Sequence, residues 1–103
     1  MPVWVDVAPV ASLDDNSCLS LDHGRRRALI SQINGTQYAF EGLCTHADEL
    51  LEFSRWDAPA IFCPHHGARF CTRTGRALTP PATRALRPLP LRIDDGILQV
   101  AFD

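Results

Sequence analysis

The sequence predicts an all-β domain, a small barrel or sandwich built from short strands. Three observations point there. Apolar runs rich in β-branched and aromatic residues recur at short intervals, tight-turn pairs sit between them, and no long 3.6-residue apolar period runs along the chain. Val3-Trp4-Val5-Asp6-Val7 is the first run, closed by Pro9. Ala28 to Ile33 and Thr36 to Phe40 are the second and third, joined at Asn34-Gly35, where both residues tolerate positive φ. Ala60-Ile61-Phe62 is a fourth. Leu89 to Ile93 and Ile97 to Phe102 flank Asp94-Asp95-Gly96, another hairpin turn. The exception to the strand pattern is a short helix-like turn near Asp48 to Phe53. Trp4, Trp56 and Phe70 are expected in the core. At 103 residues, with no repeats or low-complexity linkers, the chain is one domain with one core.

Composition excludes several functions. Hydrophobic content of 46% is ordinary for a globular chain, and the formal net charge is −2. The 10 basic residues, all arginine, give no basic excess of the kind that binds nucleic acid. No apolar run approaches the ~18–20 residues that cross a bilayer. Met1 to Pro9 lacks the basic start and long apolar stretch of a signal peptide, so a cytoplasmic location is expected. Arg25-Arg26-Arg27, after His23-Gly24, reads as a solvated turn entering a strand rather than as a partner patch.

Chemistry concentrates in two short segments. Cys44-Thr45-His46 is followed, with sixteen residues between, by Cys63-Pro64-His65-His66-Gly67. Each segment pairs one sulfur with one nitrogen donor. Two thiolates and two imidazoles make a metal site, and mixed pairs suit a [2Fe–2S] cluster with two cysteines on one iron and two histidines on the other. Tetrahedral zinc accepts the same four donors and remains the alternative, although zinc fingers usually pair Cys with Cys and His with His. Each donor pair follows directly on a predicted strand, so two loops on a rigid scaffold can clamp the group from opposite sides. Pro64 stiffens the second loop, and Gly67 lets the backbone come close. Of the 4 Cys and 4 His, His65 is then an exposed loop residue, and Cys18 and Cys71 are expected as reduced thiols, typically buried.

C-x-H followed by C-x-x-H in two loops resembles the Rieske iron–sulfur family. The resemblance extends from about Asn34 to the C-terminus and is only general before that. It implies a Rieske-type fold: a β-barrel or sandwich base over 1–103 with a cluster-binding subdomain of two loops at approximately 43–82. It assigns Cys44 and Cys63 to one iron and His46 and His66 to the other, with the imidazole edges as the exit for the electron. Thr79-Pro80-Pro81-Ala82 resembles the proline loop that covers the cluster in this family; a plain turn is the alternative.

Departures from the pattern carry information. High-potential members staple their loops with a disulfide, but the corresponding positions here are Glu49 and His65. Those members also place Ser and Tyr hydroxyls near the sulfurs, where this chain has Ala68 and Phe70. Hydrogen bonds to sulfur favour the reduced, more negative cluster, so their absence predicts a potential at the low end of the Rieske range, near about −150 mV. The oxidised site is formally neutral, because two ferric ions cancel two sulfides and two thiolates. It therefore accepts an electron more readily than a four-cysteine site does.

The length, all four donors, and the run Phe70 to Ala82 are most similar to the ferredoxins of bacterial aromatic ring-hydroxylating dioxygenase systems. An oxygenase α subunit would need a further, larger iron domain, and Ala68 stands where such subunits commonly have Trp. The resemblance implies a one-electron carrier, itself no enzyme. It would shuttle between an NAD(P)H-dependent flavin reductase and a terminal oxygenase, as a monomer with no membrane or nucleic-acid partner. Ala47, Leu50, Pro64, His65 and Pro80 are expected to form an apolar docking tip. Asp48, Glu49 and Glu52 are expected either to steer partners or simply to face solvent. Alternatives are a small subunit of an assimilatory nitrite reductase, a cluster-based sensor and a zinc-stabilised binding module.

Overall fold

Strand pairing in this chain follows its turns. In the computed structural model, which describes residues 2–43, 50–53, 61–63, 69–78 and 85–102, Asn34 and Gly35 adopt φ of 51° and 79°. Asp95 and Gly96 adopt φ of 51° and 77°. Two consecutive positive φ values are the geometry whose twist matches antiparallel strands. Each pair accordingly closes a hairpin.

The described residues form three three-stranded antiparallel sheets. β1 (Val3–Pro9) pairs with β9 (Ile97–Phe102), which pairs with β8 (Leu91–Asp94). A short 3-10 turn, Val10–Ser12, leads from β1 to β2 (Ser17–His23). β2 pairs with β3 (Arg26–Ile33), and β3 with β4 (Thr36–Glu41). The third sheet is small: β5 (Glu52–Phe53), β6 (Ile61–Phe62) and β7 (Arg69–Phe70).

The middle strand of the second sheet holds the molecule together. β3 is buried without a break from Ala28 to Ile33, Ser31 and Gln32 included, because both of its faces are covered. Ala28 and Ile30 point into a core shared with Ala39, Leu89, Leu98, Val100 and Phe102 of the base. Leu29, between them, points the other way, into a second core with Phe40, Leu51, Ile61, Cys63, Phe70 and Leu86. One strand thus joins the base to the small third sheet, and the two-residue side-chain period divides its residues between them. The base is also tied to the segment ahead of β8: Leu89 N donates to Ala39 O and Glu41 N to Arg87 O, at 2.9 and 2.8 Å.

The structure bears out the all-β class and revises several elements. The stretch expected to turn helically is extended where described. Leu50 bridges to Leu43, and Glu52–Phe53 pair with β6. Backbone pairing with Leu43 and with β6 overrides the local helical pattern there. β2 escapes the apolar pattern because its only large apolar residues are Leu19 and Leu21, in an otherwise polar strand. β7 is a two-residue strand, too short to show a period. Trp4 is half-buried rather than core, with the Arg92 guanidinium 4.1 Å above its ring. Phe70 is fully buried as expected, and Trp56 lies outside the described residues.

Candidate metal centre

The register of the third sheet brings the two donor segments to one edge. Glu52 opposes Phe62 and Phe53 opposes Ile61, so the end at which β5 leaves the first donor loop is the end at which β6 enters the second. On one side, the Leu43–Leu50 bridge and the 2.9 Å bond from Leu51 N to Gly42 O close the base of the first loop. On the other, Ile61 opposes Phe70 and Phe62 opposes Arg69, closing the second loop as a hairpin. Phe70 bridges to Ala77, and Leu78 N donates to Arg69 O at 2.8 Å. The chain therefore also runs into the segment after Leu78 from this same edge. Neighbouring strands stand about 5 Å apart, so the adjoining bases of the two donor segments, on β5 and β6, lie about one strand spacing from each other.

Cys63 sits at this edge, immediately after β6, with none of its surface exposed. It belongs to the core of Leu29, Phe40, Leu51, Ile61, Phe70 and Leu86. Cys44, His46 and His66, and the spare His65, lie outside the described residues, as do Thr79, Pro80, Pro81 and Ala82. Cys44 follows Leu43 directly in the chain. The donor set fits a [2Fe–2S] group. One thiol is held on the inner side of the edge, against a dry core, and the histidines follow further along the loops. Soft sulfur and imidazole donors match iron–sulfur chemistry.

The turn after β7 completes the surroundings. Gly75 N donates to Cys71 O at 2.8 Å, Cys71 N to Arg76 O at 2.9 Å, and Leu86 N to Gly75 O at 2.7 Å. Cys71 is half-buried rather than buried, and Cys18 is exposed, so neither thiol is the buried small hydrophobe expected. The Cys71 thiol is held below its ordinary pKa. A hydrogen bond with Thr74 is the main cause, supported by the backbone at Arg73 and Thr74 and by the Arg73 charge, while desolvation opposes.

Among the described residues, three leucines are exposed at this edge. Leu43, Leu50 and Leu78 are 39%, 40% and 53% exposed, and Glu52 beside them is exposed. Leu50 and Glu52 take the exposed places expected of tip and rim. Ala47, Asp48, Glu49, Pro64, His65 and Pro80 lie outside the described residues. Sequence reasoning missed Leu43 and Leu78, since a leucine flanking a motif normally signals core; only the register shows that both stand at the loop-bearing edge.

Of the arginine run expected as a solvated turn, only Arg25 lies in the turn; Arg26 and Arg27 open β3 and are partly buried, held there by ion pairs. Arg26 makes a two-pronged ion pair with Glu41, its Nη2 2.9 Å from Oε1 and 3.1 Å from Oε2, and its guanidinium lies 5.0 Å from the Phe102 ring centre. Arg27 pairs with Asp22, Nε to Oδ1 at 2.7 Å. Arg25 is exposed.

Comparison with known proteins agrees with this arrangement. The Rieske [2Fe-2S] domain matches residues 3–90. The chain therefore belongs to the Rieske [2Fe–2S] family, and a Rieske-type [2Fe–2S] cluster is its cofactor. It is similar to the 3-phenylpropionate/cinnamic acid dioxygenase ferredoxin subunit of Escherichia coli strain K12, at 34% identity over 85% of this chain and 83% of that one. The ferredoxin of carbazole 1,9a-dioxygenase from Nocardioides aromaticivorans IC177 superposes with a TM-score of 0.72 at 25% identity, covering 97% of this chain and 98% of that one. A chain in the complex of reduced oxygenase and oxidized ferredoxin of carbazole 1,9a-dioxygenase matches at TM-score 0.76 and 25% identity, over 95% of this chain and 92% of that one. These relatives are electron-transfer components, not catalytic subunits. No helix among the described residues is long and apolar enough to cross a membrane.

Proposed function

We propose that this protein carries single electrons from an NAD(P)H-dependent flavin reductase to the terminal oxygenase of an aromatic ring-hydroxylating dioxygenase. The observation that carries this reading is the shared edge. Both donor segments leave one end of a small sheet, and at that end Cys63 is buried while Leu43, Leu50 and Leu78 are exposed. A one-electron centre at such an edge stays close to a partner, while the dry core shields its inner side. The [2Fe–2S] group supplies the reversible one-electron change. The chain's own residues hold it, Cys44 and Cys63 on one iron and His46 and His66 on the other, and give it an apolar rim.

Residues 1–103 act as one domain, with the cluster-binding part at approximately 43–82. The protein works in the cytoplasm as a monomer that docks, exchanges one electron and leaves. Shuttling requires weak contacts, so each interface is small, below about 1,200 Å² in total. Aromatic dihydroxylation consumes two electrons, so two visits serve each turnover. Relatives described as ferredoxin subunits of dioxygenases support this reading over a nitrite reductase subunit.

The test is reconstitution. Protein made with ample iron and sulfide is red-brown and gives a paramagnetic signal after dithionite. A flavin reductase with NAD(P)H then reduces it, and a terminal oxygenase with aromatic substrate re-oxidises it. A colourless protein refutes the metal centre. A coloured protein that neither accepts nor delivers electrons refutes the carrier role.

A further inference from the structure

We propose that Arg27 is a positioning residue for the cluster: it clamps the base of the first donor loop from the β2–β3 hairpin, and its charge favours the reduced cluster. This inference rests on the cluster reading above and concerns a residue remote in sequence from the donor segments.

Arg27 reaches both strands that frame the first loop. Its backbone oxygen accepts from Gly42 N at 2.7 Å, on the strand entering the loop. Its side-chain Nη1 donates to Leu51 O at 3.2 Å, on the strand leaving it. Gly42 and Leu51 are themselves joined, Leu51 N to Gly42 O at 2.9 Å. One arginine thus holds both ends of the segment 44–49. Gly42 makes the approach possible: a β-carbon there would lie 3.1 Å from Arg27 Cγ and 3.2 Å from Leu29 Cγ. The arginine stem packs where a side chain at 42 would otherwise stand.

The remaining donors aim the guanidinium. Nε and Nη2 grip the Asp22 carboxylate at 2.7 and 3.3 Å. The Arg27 side chain is only 18% exposed, whereas Asp22 is 61% exposed. The cation therefore lies on the inner side of the pair and the anion in solvent, where water screens it better. On the inner side, the contact is with Leu51 O. Continuing the β5–β6 register by one residue puts Leu51 opposite Cys63, one strand spacing of about 5 Å away. Reduction adds one negative charge to a formally neutral group. A permanently charged guanidinium next to that strand favours the product, and a planar fork that reaches a carboxylate and a carbonyl at once is something lysine cannot reproduce.

Three variants of the loaded protein test the proposal by midpoint potential, cluster release to a chelator and thermal unfolding. Arg27→Gln loses charge and clamp: the potential falls and cluster release is several-fold faster. Arg27→Lys keeps charge without the fork: the potential stays near wild type while release still accelerates. Asp22→Asn unclamps the guanidinium but keeps its charge, with Glu52 as the remaining nearby anion: the potential does not fall, and release accelerates. Wild-type potential and release in Arg27→Gln overturn the proposal. If Arg27→Gln fails to fold, unchanged release in both Arg27→Lys and Asp22→Asn overturns it equally. Faster release with an unchanged potential in Arg27→Gln rejects the charge role and reduces Arg27 to a structural tie. A wild-type protein that binds no cluster refutes the earlier reading instead, so the two failures are distinguishable.

Discussion

Gly75 lies flat against the ring of Phe40: a β-carbon built on it would stand 2.8 Å from Cε1 and 2.9 Å from Cδ1. Phe40 cannot give way, because it is packed among Leu29, Leu51, Cys63, Phe70 and Leu86. Gly75 also holds φ at +73°, a region costly for any residue with a side chain. The turn after β7 is thus pinned onto the core that buries Cys63. Gly75→Ala should destabilise the fold by on the order of 2–4 kcal/mol, from clash and backbone strain together. Denaturant unfolding of the loaded protein measures it, and the cluster should be lost at lower denaturant. A wild-type transition would mean that the ring is free to move.

The potential should lie low in the Rieske range, near about −150 mV, because Ala68 and Phe70 offer no hydroxyl to the sulfurs. Phe70 shares its core with Cys63, so a hydroxyl on this ring is well placed to matter. Phe70→Tyr should raise the potential. Protein-film voltammetry decides it: a wild-type value above roughly +100 mV, well up that range, contradicts the expectation.

Histidine ligation has a signature in alkaline solution. Oxidised iron acidifies the free N–H of a bound imidazole, and losing that proton stabilises the oxidised state. The potential should therefore be flat near neutrality and fall as pH rises. Voltammetry across the alkaline range tests it, and a flat line throughout argues against His46 and His66 as ligands.

The two thiols outside the donor set should separate by pH. The hydrogen bond with Thr74 holds the Cys71 thiol below its ordinary range, while desolvation pushes Cys18 up although that residue is exposed. Only the thiolate reacts with iodoacetamide. The alkylation midpoint of Cys71 should fall at lower pH than that of Cys18, by peptide mass spectrometry on the loaded protein. Thr74→Val should move the Cys71 midpoint upward, and coincident midpoints in the wild type would refute the assignment.

Much of the fold and the chemistry was legible in the order of residues. Asn34-Gly35 and Asp95-Gly96 announce their hairpins because φ > 0 at two successive positions is a local demand that few residues meet. The apolar run Ala28 to Ile33 announces a strand. By contrast, Ser17 to His23 is too polar to be recognised, and becomes a strand because β3 offers it seven partners in register. Glu52–Phe53 is extended for the same reason, its partner β6 lying just ahead of the second half of the motif.

The kind and spacing of the donors, and with them the expectation of a one-electron iron–sulfur centre, were determined by the sequence alone, because a thiolate or an imidazole carries its chemistry wherever the chain puts it. Only the tertiary structure decided that the donor loops share one edge, that Leu43 and Leu78 face outward there, and that Arg27 braces the first loop from another sheet. Those relationships depend on the pairing of strands far apart in the chain, and pairing is set by the mutual burial of two cores rather than by any local pattern of residues.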